Sequence, residues 1–114
     1  MEVVDIIIAT LGGEAFTAIA KVTPYKFTPE VLSFLSRPCY GIRAEFKGGK
    51  VVLVIYDRLE DLYIINVGKG CKNPAKVYTD IYYDHLLSII ERETEIEMPK
   101  VEYPEEDFII TDFE

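Results

Sequence analysis

The chain has 114 residues, which is enough for one domain around one hydrophobic core. Apolar residues make up 49% and charged residues 28%, which excludes wholesale disorder, and no apolar run approaches the ~18 residues that a membrane-spanning helix needs. The net charge is −8, but residues 1–100 hold 14 acids and 12 bases, whereas the residues after Lys100 hold six acids and no base. A nearly neutral domain lacks the basic face that a broad nucleic-acid or membrane-surface footprint requires.

The first 22 residues predict a β-hairpin. Residues 2–10 are rich in β-branched side chains, which favour a strand, and the glycines of Leu11-Gly12-Gly13-Glu14 can adopt the positive φ of a tight turn. Residues 15–22 then form the returning strand. An amphipathic helix over residues 15–21 is the alternative, because this stretch contains three alanines.

A helix is predicted next, after a short connection over residues 23–27. Thr28-Pro29-Glu30 supplies an N-cap residue, a proline at the first helical position and an acid in the first turn. The helix runs to about Ser36, and Arg37-Pro38 ends it because the residue before a proline avoids the helical conformation.

Three strands in close succession then form a β-meander. Apolar and charged residues alternate over residues 42–47, and Gly48-Gly49 is a two-residue hairpin signal. Residues 50–57 are apolar on both faces, which indicates a central strand. The chain turns at residues 58–61, and residues 62–67 form the third strand.

The last predicted element is a long helix. Asn73-Pro74 again combines a cap residue with a proline, and the helix is predicted to run from there to about Glu93. Its apolar stripe consists of Val77, Tyr78, Ile81, Tyr82, His85, Leu86 and Ile89. We therefore predict an α+β domain over residues 1–98, with a single antiparallel five-stranded sheet and two helices in the order β-β-α-β-β-β-α, and an acidic tail over residues 99–114.

This element order, with the turn at residues 11–14, the helix from Pro29 and the meander over residues 42–67, resembles the longin, roadblock and profilin-like group. The resemblance implies a small non-enzymatic domain that dimerises or docks onto small GTPases, trafficking complexes or cytoskeletal proteins. The chain has no glutamine and many tyrosines and isoleucines. With its strand over residues 50–57 and its loop over residues 68–74, it also looks like a hyperthermophilic archaeal accessory protein, similar to the arcadin-type proteins associated with archaeal actin.

The setting predicted for the chain is the cytoplasm. Glu2 and Asp5 are acids at positions where a signal peptide would have a basic region. In the cytoplasm we expect Cys39 and Cys71 to be reduced thiols. A disulfide between them is the alternative, because intracellular disulfides occur in hyperthermophiles.

The loop over residues 68–74 is a candidate anion-binding site. Lys69, Lys72 and Lys76 lie where a strand leads into the N-terminus of the predicted helix, and no acid follows them before Asp80. Free helix N–H groups, the helix dipole and lysines together suit a phosphate-containing ligand. The alternative is a polar loop whose glycines only provide backbone freedom, since neither phosphate-binding glycine motif is complete.

The acidic tail is a candidate partner-binding segment, because acids that speed an encounter stand beside large apolar residues that can anchor in a groove. The candidate residues are Glu105, Glu106, Asp107, Phe108, Ile109, Ile110 and Phe113. The alternative is that residues 107–113 pack back as an additional edge strand of the domain's own sheet.

The sequence contains no recognisable catalytic set. His85 is the single histidine and lies on the apolar stripe of the predicted helix, so we expect it to be packed or half-buried. Asp80 and Asp84 are one helical turn apart, but no third metal ligand follows at a matching spacing. We expect no enzyme activity, no cofactor and no metal.

The function predicted from these features is that of a protein–protein interaction or scaffold module. We expect a homodimer that docks a cytoskeletal or other filament-forming protein through a sheet edge or the acidic aromatic tail, and no membrane partner. A single-stranded nucleic-acid-associated protein is the first alternative, since aromatic residues on a sheet face stack on bases, although the near-neutral domain disfavours it. A sensor of phosphate-containing ligands at residues 68–76 is the second.

Overall fold

The structure, a computed structural model, describes residues 3–72 and 76–103. Its elements are α1 (Val3–Thr10), α2 (Glu14–Thr17), β1 (Ala20–Phe27), β2 (Cys39–Phe46), β3 (Val51–Asp57), β4 (Leu62–Val67), β5 (Val77–Ile81), a 3₁₀ turn (Tyr83–His85) and α3 (Leu86–Thr94). The strands form one sheet in sequential order, and each neighbouring pair is antiparallel. The predicted α+β class and five-stranded antiparallel sheet are confirmed, whereas the predicted element order is wrong outside the meander.

The N-terminal segment is a helix and not the predicted first strand. α1 is apolar on nearly every side, so its sequence lacks the period that separates a helix from a strand. Ile7 and Leu11 lie one helical turn apart and are fully buried in the main core, which favours the helix. Gly12 and Gly13 have φ values of 117° and 62°, and the N–H group of Gly13 donates back to a carbonyl of the last helical turn. The two glycines therefore end a helix instead of forming a hairpin.

The predicted second strand begins later and extends further. α2 occupies part of the stretch for which a helix was the alternative, and it places Phe16 in the core. There its ring meets that of Phe46 edge-on, with 5.8 Å between centroids. β1 includes residues 23–27, which were predicted as a connection. Pro24 is tolerated in β1 because an edge strand leaves one side of its backbone unpaired.

The helix predicted for residues 28–36 does not form. The carbonyl of Thr28 accepts two N–H groups and makes one turn, and the chain then continues in turns and bends as far as β2. So short a helix is marginal on its own. Leu32 and Leu35 instead pack onto the sheet beside Ile55. Tertiary packing thus overrides the helix-start signal.

The predicted meander is confirmed. β2, β3 and β4 coincide with the three predicted strands, and the turn between the first two contains Gly48 and Gly49 at φ values of 86° and 81°. Burial alternates along β2 from Ile42 to Phe46, as its period of two predicts.

The long helix predicted after residue 73 is wrong for its first half. β5 lies in this first half and pairs with β4, and α3 forms the helical second half, from Leu86 to Thr94. Val77, Tyr78 and Ile81 fit a helical stripe and an irregular strand equally well, and their residue types favour a strand. Asp80 has a φ of 58°, and the register between β4 and β5 shifts beside it.

The main core lies between one face of the sheet and the three helices. Its fully buried members include Ile7 and Phe16 from the first two helices, Ile90 from α3, and Val54 and Ile65 from the sheet. The sheet residues in this core are every second residue of their strands and point to one face of the sheet. The helices therefore form a single layer on that face. No helix within residues 3–72 and 76–103 is long and apolar enough to cross a membrane.

The segment after α3 belongs to the helical layer. Met98 is buried in the main core, and Pro99 lies so close to Gly12 that a Cβ added to the glycine would stand 3.0 Å from it. The hydroxyl of Tyr103 donates to the carbonyl of Thr10 at 2.8 Å. The packed chain therefore continues past residue 98, where the sequence predicted the domain to end, to at least Tyr103.

Candidate interaction surface

The sheet has a second face, which points away from the helices and which we call the open face. Alternate residues of the strands point to it, and in register Arg43 lies opposite Leu53 and Leu53 opposite Asn66. The side chains of the open face include Thr23, Tyr25, Arg43, Glu45, Val51, Leu53, Ile64, Asn66 and Val77. A sheet covered on one side commonly turns polar residues to solvent, whereas β3 and β4 present aliphatic side chains here.

Residues 28–38 cover one end of the open face. The small second core beneath them consists of Phe27, Leu35, Cys39 and Ile55, with Leu32, Leu53 and Ile64 at its border. Arg37 ties the segment to β3, because its guanidinium group donates to both carboxylate oxygens of Asp57, at 3.0 and 3.3 Å.

Gly41 allows this second core to form. A Cβ atom at position 41 would lie 3.0 Å from the ring of Phe27 and 2.5 Å from the carbonyl oxygen of Val54. The aromatic ring and the neighbouring strand thus occupy the space of a side chain, and only glycine fits.

The rest of the open face is an aliphatic strip on β3, β4 and β5. Leu53 and Ile64 touch the second core on one side and are half-buried, and Val51 is half-buried as well. Val77 is 36% exposed, and Tyr25 at the opposite edge of the sheet is 45% exposed. Aliphatic side chains of two central strands therefore remain in contact with solvent.

Charged side chains flank the aliphatic strip on β1 and β2. Arg43 and Glu45 form an ion pair, with 3.1 Å between Nη1 and Oε1, and Lys21 lies directly opposite Glu45 in the register of β1 and β2. An apolar centre with a partly charged border is the usual anatomy of a protein–protein interface.

The edges of the described sheet are less suited to pairing with another chain. β1 carries Pro24 together with Lys21 and Lys26, and β5 has only five residues and an irregular register beside Asp80. Proline, lysine, short strands and bulges are the features that keep sheet edges from pairing. The predicted docking through a sheet edge therefore has weaker physical support than docking through the open face.

A groove of about 470 Å³ lies between α1 and β1. Its lining consists of Val4, Asp5, Pro24, Tyr25, Lys26 and Tyr40. The ammonium group of Lys26 stands 5.7 Å from the ring centre of Tyr40. The volume suits a small ligand or a single large side chain.

Two lysines bind the C-terminal end of α3. Lys50 donates through Nζ to the carbonyl of Thr94, and the backbone N–H group of Lys72 donates to the carbonyl of Glu93 at 2.8 Å. The Nζ atom of Lys72 also lies 4.0 Å from the carboxylate of Glu95. These cations offset the negative end of the helix dipole.

The predicted anion site therefore loses its helix N-terminus. Lys69 accepts a backbone hydrogen bond from β3, and the ammonium group of Lys76 stands 4.9 Å from the ring centre of Tyr78. Lys72 lies beside a helix C-terminus, whose carbonyl groups repel an anion. Phosphate binding by these lysines stays a prediction, without the helix on which it was based.

The two cysteines are buried and free. Cys39 belongs to the second core under residues 28–38, whereas Cys71 belongs to the main core and donates through Sγ to the carbonyl of Val51 at 3.4 Å. Burial raises the pKa of the Cys39 thiol, and the nearby carboxylate of Asp57 raises it further. The two thiols thus lie in separate cores, and their reduced state in the cell stays a prediction.

The candidate tail residues, which lie between Glu105 and Phe113, fall outside the described residues. The last described residue before them is Tyr103. Tyr103 lies in the helical layer, where its ring meets that of Tyr83 edge-on with 5.0 Å between centroids. The tail therefore starts on the side of the sheet opposite the open face.

The histidine is exposed, contrary to the prediction. His85 closes the 3₁₀ turn before α3 and its side chain is 64% exposed, with Nε2 3.9 Å from the carboxylate of Asp84. The helical stripe that would have packed it does not exist at this position. In the part of the chain that the structure describes, no group of three or more histidine, cysteine, aspartate and glutamate side chains could hold a metal ion.

Sequence reasoning missed a buried acid, Glu93. Its side chain is only 1% exposed and accepts a hydrogen bond from the hydroxyl of Tyr78, which in turn accepts one from Arg92 at 3.3 Å. These bonds tie α3 to β5. The signal was its spacing, since Glu93 follows Leu86 by seven residues and Ile90 by three, on the buried face of the helix.

Comparisons of the chain with protein-family models, with curated proteins and with solved structures found no match. The resemblances to longin, roadblock and profilin-like domains and to arcadin-type proteins stay untested, and the element order that suggested the first of them is not observed.

Proposed function

We propose that the protein is a protein–protein interaction module and that the open face is its docking surface. The observation that carries the proposal is the aliphatic strip of Val51, Leu53, Ile64 and Val77, on the side of the sheet that the described helices leave uncovered. Removing apolar surface from water stabilises a complex by roughly 25 cal/mol per Å², so such a strip favours a protein partner.

The strip suits a protein better than the two alternative ligands. Bases stack on aromatic rings, but the exposed aromatic side chain on the open face is Tyr25, which lies at the edge of the sheet. Lys21, Arg43 and Glu45 together carry only one net positive charge, which is too little for the basic groove that tracks a nucleic-acid backbone or for a phosphate site.

The partner's identity is a further part of the proposal. A cytoskeletal or other filament-forming protein is the partner that the resemblances suggest. The acidic tail is proposed as a second, separate contact, because its acids and large apolar residues fit a basic-rimmed groove on another protein.

Matched glutamate variants test the docking surface. Leu53→Glu places a charge in the aliphatic strip, and Leu59→Glu makes the same change at a turn residue that is 77% exposed. We expect a partner captured from native extract by the wild-type chain to be retained by Leu59→Glu and lost by Leu53→Glu. Hydrogen–deuterium exchange of the wild-type complex should show added protection in β3 and β4.

Circular dichroism of both variants provides the folding control. If a correctly folded Leu53→Glu variant still captures the partner, or if protection appears only in the helical layer, the open face is not the docking surface.

A further inference from the structure

We infer that a second copy of this chain occupies the open face, docked face to face about a two-fold axis. The inference rests on the proposed function. For the open face it names a second copy of the chain, in place of the filament-forming partner that the resemblances suggest, and it names the contacts. In such an interface the same patch meets itself, so each residue and its contact partner exchange roles between the copies. The patch must therefore be complementary to its own rotated image.

The charged row on β2 meets this condition. Arg43 and Glu45 are two residues apart on one strand and project from the same face. We place the two-fold axis parallel to the sheet, perpendicular to the strands and midway between Arg43 and Glu45. The rotation then brings Arg43 of each copy against Glu45 of the other. The ion pair within each chain is then extended to an alternating set of four charges.

The same axis also matches the two members of the aliphatic strip that lie on β3, Val51 and Leu53. In the register of β2 and β3, Leu53 stands level with Arg43 and Val51 level with Glu45. The rotation that pairs the charges therefore places Leu53 of each copy over Val51 of the other. Stacked sheets stand about 10 Å apart, with strands within about 30° of alignment, which is a distance that aliphatic side chains from both copies fill.

The size of the strip sets the strength of the dimer. Five strands spaced by about 4.8 Å and about six residues long give a face of on the order of 500 Å². Residues 28–38 cover one end of it. The remainder is below the ~800 Å² per partner of a standard interface, so we expect a weak dimer that forms only at high protein concentration.

The chain's own tail is a poorer occupant of the open face. Tyr103 is held by the carbonyl of Thr10 in the helical layer, so the tail begins on the far side of the sheet. Beyond Lys100 the chain carries six acids and no base, whereas the border of the strip carries both Arg43 and Glu45. An acidic segment therefore meets Glu45 as well as the bases of this border, whereas a second copy offers an opposite charge to both Arg43 and Glu45.

Charge-reversal variants test the inference in the full-length protein. Arg43→Glu makes the row on β2 wholly acidic, and Glu45→Arg makes it wholly basic. We expect each variant to self-associate at least about fivefold more weakly than the wild type, because like charges then meet across the axis. We expect an equimolar mixture of the two to form a heterodimer, and the double variant Arg43→Glu/Glu45→Arg to recover self-association.

Sedimentation equilibrium from 10 to 500 µM, at low and high salt, provides the measurement. Arg58→Glu, in the turn between β3 and β4, is the charge-reversal control and should dimerise like the wild type. The inference is overturned if both single variants dimerise like the wild type, or if their mixture forms no heterodimer. A wild-type chain that stays monomeric at 500 µM, while Leu53→Glu still abolishes capture of another protein, overturns the second copy but leaves the proposed function intact.

Discussion

The substitution Gly41→Ala tests the packing that shapes the covered end of the open face. The added Cβ would stand 2.5 Å from the carbonyl oxygen of Val54, 3.0 Å from Cα of Ile55 and 3.0 Å from the ring of Phe27. Carbon and oxygen atoms in neighbouring strands normally stay about 3.3 Å or more apart. Because two of these three atoms belong to the backbone of β3, a side-chain rotation cannot relieve the contact, and β2 and β3 must separate.

The expected cost follows from this geometry. Overpacking of a well-packed site costs about 1–3 kcal/mol, and a contact with backbone belongs in the upper half of that range. Alanine also restricts the unfolded chain, which offsets the loss by about 0.5 kcal/mol. We therefore expect Gly41→Ala to lower the free energy of unfolding by about 2 kcal/mol, which corresponds to a decrease in Tm of about 8 °C for a chain of this size.

Urea unfolding followed by circular dichroism measures the effect. Gly48→Ala is the matched control, since Gly48 has a φ of 86° and an added Cβ would meet nothing within 4 Å. It should cost only the ~1 kcal/mol of a left-handed backbone. If Gly41→Ala is as stable as the wild type, the ring of Phe27 does not lie over position 41 and the second core is not formed as described.

Three further measurements test other parts of the structure. The hydrogen bond that Tyr56 donates to Asp61 raises the pKa of Tyr56 to about 12. The contribution of this bond to stability is therefore fully present below pH 10 and is lost as the pH rises toward 12. Ultraviolet titration should show the late ionisation of Tyr56 in the wild type and its absence in Asp61→Ala. A double-mutant cycle of Arg37→Ala and Asp57→Ala should give a coupling of about 1 kcal/mol in urea unfolding, and no coupling would mean that the ion pair does not hold residues 28–38 in place. Truncation after residue 98 should lower Tm in calorimetry by more than truncation after Tyr103, because the shorter chain loses the bond to the carbonyl of Thr10, and equal melting temperatures would contradict that packing.

The meander could be predicted because its signals are local. Charged and apolar residues alternate along β2, and Gly48 and Gly49 take up the positive φ values of the turn that follows. Such a hairpin pairs residues that are neighbours in sequence, so the pattern within a short window is enough to define it.

The helices could not be assigned from the same kind of pattern. Residues 3–10 are apolar except for Asp5 and Thr10, and their conformation depends on Ile7 and Leu11 entering a core built by strands far away in sequence. At residues 28–36 the local signal was a helix start, but Leu35 gains more by covering Ile55 than a short isolated helix would provide. The candidate anion site depended on a third assignment, the long helix predicted from Asn73, and lost its basis because β5 lies in the first half of that stretch.

The sequence identified the apolar residues of the open face on β3 but did not reveal their role. Residues 50–57 are apolar on both faces, which predicted a central strand. The described helices cover one side only, and folding of such a two-layer domain requires only every second residue of a central strand to be apolar. The main core therefore does not require Val51 and Leu53 to be apolar. Exposed aliphatic surface of this kind is typical of a site of association. In a small two-layer domain, a central strand with two apolar faces thus indicates a third layer, which for this chain we propose to be the surface of another molecule.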